Sequence, residues 1–148
     1  MVTICTSGRQ QLFGTVEEGR LVHTPAGTQA DDVWESIPHR FPTVTIDAFV
    51  VMPDHVHGIV LCGTDSFDEG RKPTIGDVVR WFKASVHAAY RTGVTESGWH
   101  AYDRHLWQRG YHDHIIRSAD ELARCQRYID GNPGRWWERH QPGTTDLP

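Results

Sequence analysis

Long apolar runs are absent from this 148-residue chain. No stretch approaches the roughly 18 residues that a membrane-crossing helix requires, and no basic-plus-apolar leader opens it, so a soluble, cytoplasmic protein is expected. Cysteine is scarce: Cys5, Cys62 and Cys125 are odd in number, far apart and set in apolar runs. That pattern argues against a disulfide framework and for reduced thiols. Nucleotide-binding glycine motifs are missing too, both Gly-x-Gly-x-x-Gly and the phosphate loop, so chemistry driven by a bound nucleotide is not indicated. There are no repeats and no low-complexity tract. An excess of positive charge is also lacking, with a net charge of −4, which at first sight argues against a nucleic-acid partner.

The charge is unevenly placed, however. Residues 1–70 carry three Arg and Lys against ten acids, a balance of −7, and residues 71–148 carry twelve against nine, a balance of +3. In the second half Arg109, Arg117, Arg124, Arg127, Arg135 and Arg139 are interspersed with Trp107, Tyr111, Trp136 and Trp137. Arginine beside aromatics suits phosphate contact combined with base stacking. Lys83, Arg109, Arg117, Arg124 and Arg127 are the candidate phosphate contacts of a nucleic acid. For any single arginine the alternative is an ordinary solvated helix pair, such as Arg124 or Arg127 with Asp120, Glu121 or Asp130.

The most informative stretch is Met52-Pro53-Asp54-His55-Val56-His57-Gly58-Ile59-Val60. On a strand, side chains alternate faces, so His55 and His57 share one side and Val56 and Val60 the other. Two imidazoles at that spacing suit one shared divalent ion. A second constellation lies near the far end. Ser118 stands where an N-cap belongs, Glu121 follows by three residues, and Pro133 marks a stop, which predicts one helix from 119 to about 132. Leu122, Cys125 and Ile129 form its buried stripe, and Tyr128 and Asn132 are neighbours one turn apart. The plainer reading of this pair is a half-buried aromatic and a helix C-cap.

Elsewhere the pattern predicts a strand at 2–6, a turn-rich or hairpin segment through Gly27, and a short helix near 29–37 stopped by Pro38. Paired strands follow at 43–51 and 55–61, then a polar loop from Gly63 to Lys72, a helix from about 75 to 91 and a strand from His112 to Arg117. The order β-α-β-β-α-β-α is that of an α+β, ferredoxin-like split βαβ sandwich, an antiparallel sheet with helices on one face. His112 or His114 is a further candidate to line a site, and Tyr111, next to a strand, is a second tyrosine to weigh against Tyr128. His23, His39, His100, His105 and His140 have no argued role.

Three segments resemble the REP-associated tyrosine transposases, relatives of the single-tyrosine HUH transposases of IS200-like type. They are Phe49-Val50-Val51-Met52-Pro53-Asp54-His55-Val56-His57-Gly58, Leu106-Trp107-Gln108-Arg109-Gly110-Tyr111-His112-Asp113-His114-Ile115-Ile116-Arg117 and Tyr128-Ile129-Asp130-Gly131-Asn132-Pro133. The likeness implies one domain over residues 1–137 with a polar tail at 138–148, and the same ferredoxin-like fold. It implies Mg²⁺ or Mn²⁺ held by His55 and His57 with Asn132 completing the shell, and Tyr128 attacking single-stranded DNA, as a hairpin or palindrome, to give a 5′-phosphotyrosine link. Monomeric and homodimeric action both stay open. Two other classes stay open as well: a catalytically silent DNA-hairpin-binding module, and a metal-dependent phosphodiesterase that uses water. The acidic N-terminal half departs from what a DNA enzyme would show.

Overall fold

The computed structural model describes residues 1–63 and 70–141. Much of the expected loop at 63–72 and of the tail at 138–148 therefore lies outside the described residues. Four strands make the main sheet: β1 (Val2–Cys5), β4 (Val44–Met52), β5 (His55–Cys62) and β6 (His112–Asp113), in the order β4-β5-β1-β6 with every pair antiparallel. Helix α1 (Pro25–Glu35) joins β1 to β4, and α3 (Ile75–Glu96) joins β5 to β6. This is the expected split βαβ arrangement. Between β1 and α1 the chain makes a 3-10 turn at Ser7–Arg9 and a separate hairpin, β2 (Gly14–Glu17) with β3 (Arg20–His23). Glu18 and Gly19 form the hairpin's two-residue turn, both at positive φ (51° and 76°), as a turn matched to strand twist requires.

The sheet has two differently built faces. On one, Val2, Ile4, Val51 and Val56 meet Trp34 of α1 and Val78, Phe82 and Val86 of α3 in the main core. Gly58 makes room for the Trp34 ring there, because a Cβ would stand 2.0 Å from it. A register shift between Ile46 and Phe49 lets Val44 and Ile46 on one side of it, and Phe49 and Val51 on the other, all serve that core. On the opposite face lies α4 (Ala119–Asp130), whose Cys125 and Ile129 bury against Ile59 with Ala48, Val50 and Leu122 alongside. Helices on one face thus holds for α1 and α3, while α4 departs from it. Residues of β5 at alternate positions need cover on both sides, and only one side is served by the crossover helices.

Three boundaries differ from the sequence reading for identifiable reasons. The first helix begins earlier, at Pro25, because Thr24 caps it by accepting a hydrogen bond from Gly27 N–H at 3.1 Å and proline is favoured in a first turn; a short α2 (Ile37–Arg40) follows. Strand β6 is two residues long instead of six. It runs antiparallel to β1 with His112 opposite Thr3 and Asp113 opposite Val2, and His114 N–H bonds Met1 O at 2.8 Å. Finally, the single helix expected over 119–132 is two: α4 ends at the Gly131 cap, and α5 (Asn132–His140) starts with Pro133 in its first turn. Proline initiates a helix here instead of ending one.

Candidate active site

His55 opens β5 and His57 follows two residues later, both facing α4. Their partners are fixed by register: Cys5 lies opposite His55 and Thr3 opposite His57 on β1, with Met52 and Val50 opposite them on β4. The imidazoles are 4.5 Å apart between centroids, nearly perpendicular, and 5 % and 7 % exposed. Each is oriented through Nδ1. The Asp54 carboxylate accepts from His55 Nδ1 at 2.6 Å, and Thr3 Oγ1 shares a 2.8 Å hydrogen bond with His57 Nδ1. Among the described residues nothing bonds to either Nε2, so with each ring protonated at Nδ1 both Nε2 lone pairs would be open to a ligand.

Asp54 is itself held. Arg9, in the left-handed region at φ 55°, donates through Nε to its second oxygen at 2.9 Å. Burial works to raise the Asp54 pKa, but the hydrogen bonds and charges of His55 and Arg9 outweigh it and keep the carboxyl below its ordinary range. His57 behaves oppositely. Burial first, then the charges of His55, Arg9 and Arg135, push its pKa down to about 3, so it is neutral at physiological pH, the form in which imidazole ligates a metal.

The helix tyrosine arrives where the pair is. Gln126 of α4 donates to the Asp47 carboxylate at the β4 register shift, at 3.0 and 3.2 Å, and Ile129 is fully buried. These two anchors, on either side of Tyr128 in sequence, fix the helix so that the Tyr128 ring packs edge-on against His57, 5.4 Å between centroids. Tyr128 keeps 43 % exposure, which leaves it open to a macromolecular substrate. On α5, Trp136 approaches His55 at 6.0 Å. Asn132, four residues from each of these aromatics, is 1 % exposed, and among the described residues its Oδ1 has no hydrogen-bond partner. A buried carbonyl oxygen without a partner is costly unless something fills the vacancy. Since Gly131 is the C-cap of α4, Asn132 is not that cap.

The other candidates are distributed differently. Arg109, Arg117, Arg124 and Arg127 are exposed. Lys83 donates to the carbonyls of Gln108 and Gly110 at 2.9 and 3.0 Å, which ties α3 to the loop before β6. His114 pairs with Glu121, which also accepts from Arg117 N–H at 2.8 Å, so the Glu121 half of the anticipated capping box closes one residue early. Tyr111 packs against the α1 and α3 core, on the face away from the histidines. Thr3, Arg9 and Asp54 are site residues that the motif reading did not assign a role. Asp54 alone had a signal, as the neighbour of His55.

Fold and site together define the class: a small antiparallel α+β sandwich in which a helix tyrosine lies over a buried imidazole pair on a central strand. Residues 23–132 match the family described as "Transposase IS200 like", a span that contains His55, His57, Tyr128 and Asn132. The chain belongs to the IS200-like transposase family, and DNA transposase activity is what that membership implies. It is 34 % identical over 150 residues to an uncharacterized protein of Haemophilus influenzae, covering 91 % of this chain and 79 % of that one. A solved crystal structure of a candidate transposase from Deinococcus radiodurans aligns over 87 % of this chain and 85 % of its own, with 20 % identity and a TM-score of 0.49. Among the described residues no helix is long and apolar enough to cross a membrane.

Proposed function

We propose that this chain nicks and rejoins single-stranded DNA at hairpin or palindromic ends through a covalent bond to Tyr128. The observation that carries the reading is the packing of the Tyr128 ring on His57, which sets a solvent-reachable phenol beside two oriented imidazoles. The donor set fits a divalent cation. His55 and His57 would hold it through Nε2, with the otherwise orphaned Oδ1 of Asn132. Among the described residues no three His, Cys, Asp or Glu side chains gather for this purpose, so water and substrate oxygens would have to complete the shell of a bound ion. Mg²⁺ or Mn²⁺ bound there would polarise a phosphate oxygen.

The chain's own groups then have defined tasks. Asp54 and Thr3 keep the imidazoles aimed. Helix α4 presents Tyr128 Oη to the phosphorus; the P–O3′ bond breaks, the 3′-oxygen leaves as a hydroxyl, and the 5′-phosphate stays on the tyrosine. A second 3′-hydroxyl attacking that ester restores the phenol and joins strands without a nucleotide cofactor. Arg109, Arg117, Arg124 and Arg127 are exposed on the C-terminal segments and are assigned to the DNA backbone.

The test is Tyr128→Phe, which keeps the ring and changes stability by no more than about 1 kcal/mol. The protein is incubated with Mn²⁺ or Mg²⁺ and a single-stranded hairpin labelled 3′ of the cleavage point, then denatured. Wild type should carry the label and the variant none. An adduct in the variant would move the nucleophile elsewhere, and cleavage by wild type with no adduct would make water the nucleophile.

A further inference from the structure

The α4–α5 junction brings a cation onto the tyrosine that the sequence motifs did not single out. Arg135, in the second turn of α5, folds back so that its guanidinium carbon lies 4.5 Å above the centre of the Tyr128 ring. Its Nη2 donates to the Tyr128 carbonyl, which ties the end of α4 to α5. Gly131 leaves room for this route, since a Cβ there would come within 2.6 Å of Arg135 Nη1, which would have to shift, and 3.2 Å of Arg127 O. A guanidinium has five N–H donors in a planar fork. Only one of them is engaged among the described residues. Arg135 thus lies over the ring and is anchored, yet most of its donors are unspent among the described residues, at the face of the very ring that Tyr128 shows to solvent.

We infer that Arg135 presents the scissile phosphodiester to Tyr128, fixing the ring by stacking and offering its remaining N–H groups to a non-bridging phosphate oxygen. The inference rests on the reading of Tyr128 as the nucleophile. Stacking and bidentate donation are the two properties that arginine has and lysine lacks. The contact therefore differs in kind from the exposed arginines assigned to the DNA backbone, which lysine should replace with little loss. The same placement gives Gly131 a purpose beyond capping, as the gap through which the arginine reaches back.

The experiment compares Arg135→Ala, Arg135→Lys, Gly131→Ala and Tyr128→Phe with wild type, using the labelled hairpin and Mn²⁺. With hairpin at saturation, Arg135→Ala should form adduct about a hundredfold more slowly, the scale of removing one charge-stabilising donor at a reacting centre. Hairpin affinity and melting temperature should change far less. Arg135→Lys should remain impaired, added methylguanidinium should accelerate Arg135→Ala and not wild type, and Gly131→Ala should fall in between. In the free protein the ring signals of Tyr128 should shift on Arg135→Ala and stay in place when Arg124 is replaced. Full-rate adduct formation by Arg135→Ala, a defect that saturating hairpin erases, or full activity of Arg135→Lys would overturn the inference. Failure of the underlying reading would appear elsewhere, as an adduct retained by Tyr128→Phe.

Discussion

Strand β5 shows two solutions on its two sides. Val56 and Gly58 face the α1 and α3 core, where Trp34 is fully buried and fills the space that the glycine leaves. His55, His57 and Ile59 face α4, where the apolar cluster is small and the buried groups around it are polar: the two imidazoles, Asp54 and Asn132. One face is packed for stability, and the one buried polar side-chain atom it leaves without a partner among the described residues, Trp34 Nε1, is a donor that cannot ligate a cation. The other carries oriented nitrogens and an unpartnered oxygen, features that cost stability unless a ligand completes them. A strand that alternates sides lets both be built within the five residues 55–59.

The largest separation between the faces should come from His55→Ala combined with His57→Ala. Covalent DNA capture should fall below detection, and Mn²⁺ should no longer raise the melting temperature as it does when a folded state alone binds it. Because both rings are buried and hydrogen-bonded, the metal-free protein should also lose about 1 to 3 kcal/mol. The change is therefore not confined to function, as a pair at the exposed start of a strand would be. Capture at the wild-type rate would remove the pair from the mechanism.

The mirror experiment is Gly58→Ala. Its methyl would stand 2.0 Å from Trp34 Cζ2, inside a ring with no exposure, so the ring or the strand must move. Overpacking of this kind costs typically about 1 to 3 kcal/mol and occasionally more. Urea unfolding should record that loss, while the folded fraction still binds Mn²⁺ with the wild-type constant. If metal binding collapses in step with stability, the two faces are not separable.

These contrasts bear on what was readable in the sequence. Period-two alternation through His55–Val60 and the apolar stripe Leu122, Cys125, Ile129 are local signals, and both the strand and α4 follow from them. The shared neighbourhood of His57 and Tyr128 is not local; it became legible through the family-like order of the motifs. Arg9 and Arg135 were illegible as site residues because each acts by a contact that depends on tertiary placement, Arg9 across the sheet to Asp54 and Arg135 across a helix junction. The short β6 was illegible for another reason: its extent is set by pairing with β1, more than a hundred residues away in sequence, and not by its own residues.

A smaller effect is expected from pH. His57 has a folded pKa of about 3, well below its ordinary 6.5, because burial disfavours the charged ring. The folded state therefore binds fewer protons than the unfolded one through this window. Its contribution is constant above about pH 6.5 and is lost progressively as pH falls toward about 3. Melting curves of metal-free protein should decline from pH 7.5 to pH 5, and His57→Gln should flatten that decline. Gly58→Ala should keep it, since the core face contributes no titrating group to it. An unchanged slope in His57→Gln would place the proton uptake elsewhere.

The smallest effect, and the sharpest question about the polar face, concerns Asn132. A helix cap replaced by alanine loses stability, but Gly131 holds the cap position and Asn132 is buried with Oδ1 unpartnered. Deleting an unsatisfied buried acceptor relieves a desolvation cost, so Asn132→Ala should leave metal-free stability unchanged or raise it by up to about 1 kcal/mol, the cavity left behind offsetting part of the gain. In the metal-loaded protein the sign should reverse. Removing one oxygen ligand or its support costs about tenfold or more in affinity, so Mn²⁺ should raise the melting temperature less in the variant than in wild type, and capture should slow at limiting Mn²⁺ and recover at high Mn²⁺. Stability lost equally with and without Mn²⁺ would mean that Asn132 serves only the packing of α5. A variant unchanged in both states would leave the orphaned oxygen without a role and reduce the metal's protein ligands to the two histidines.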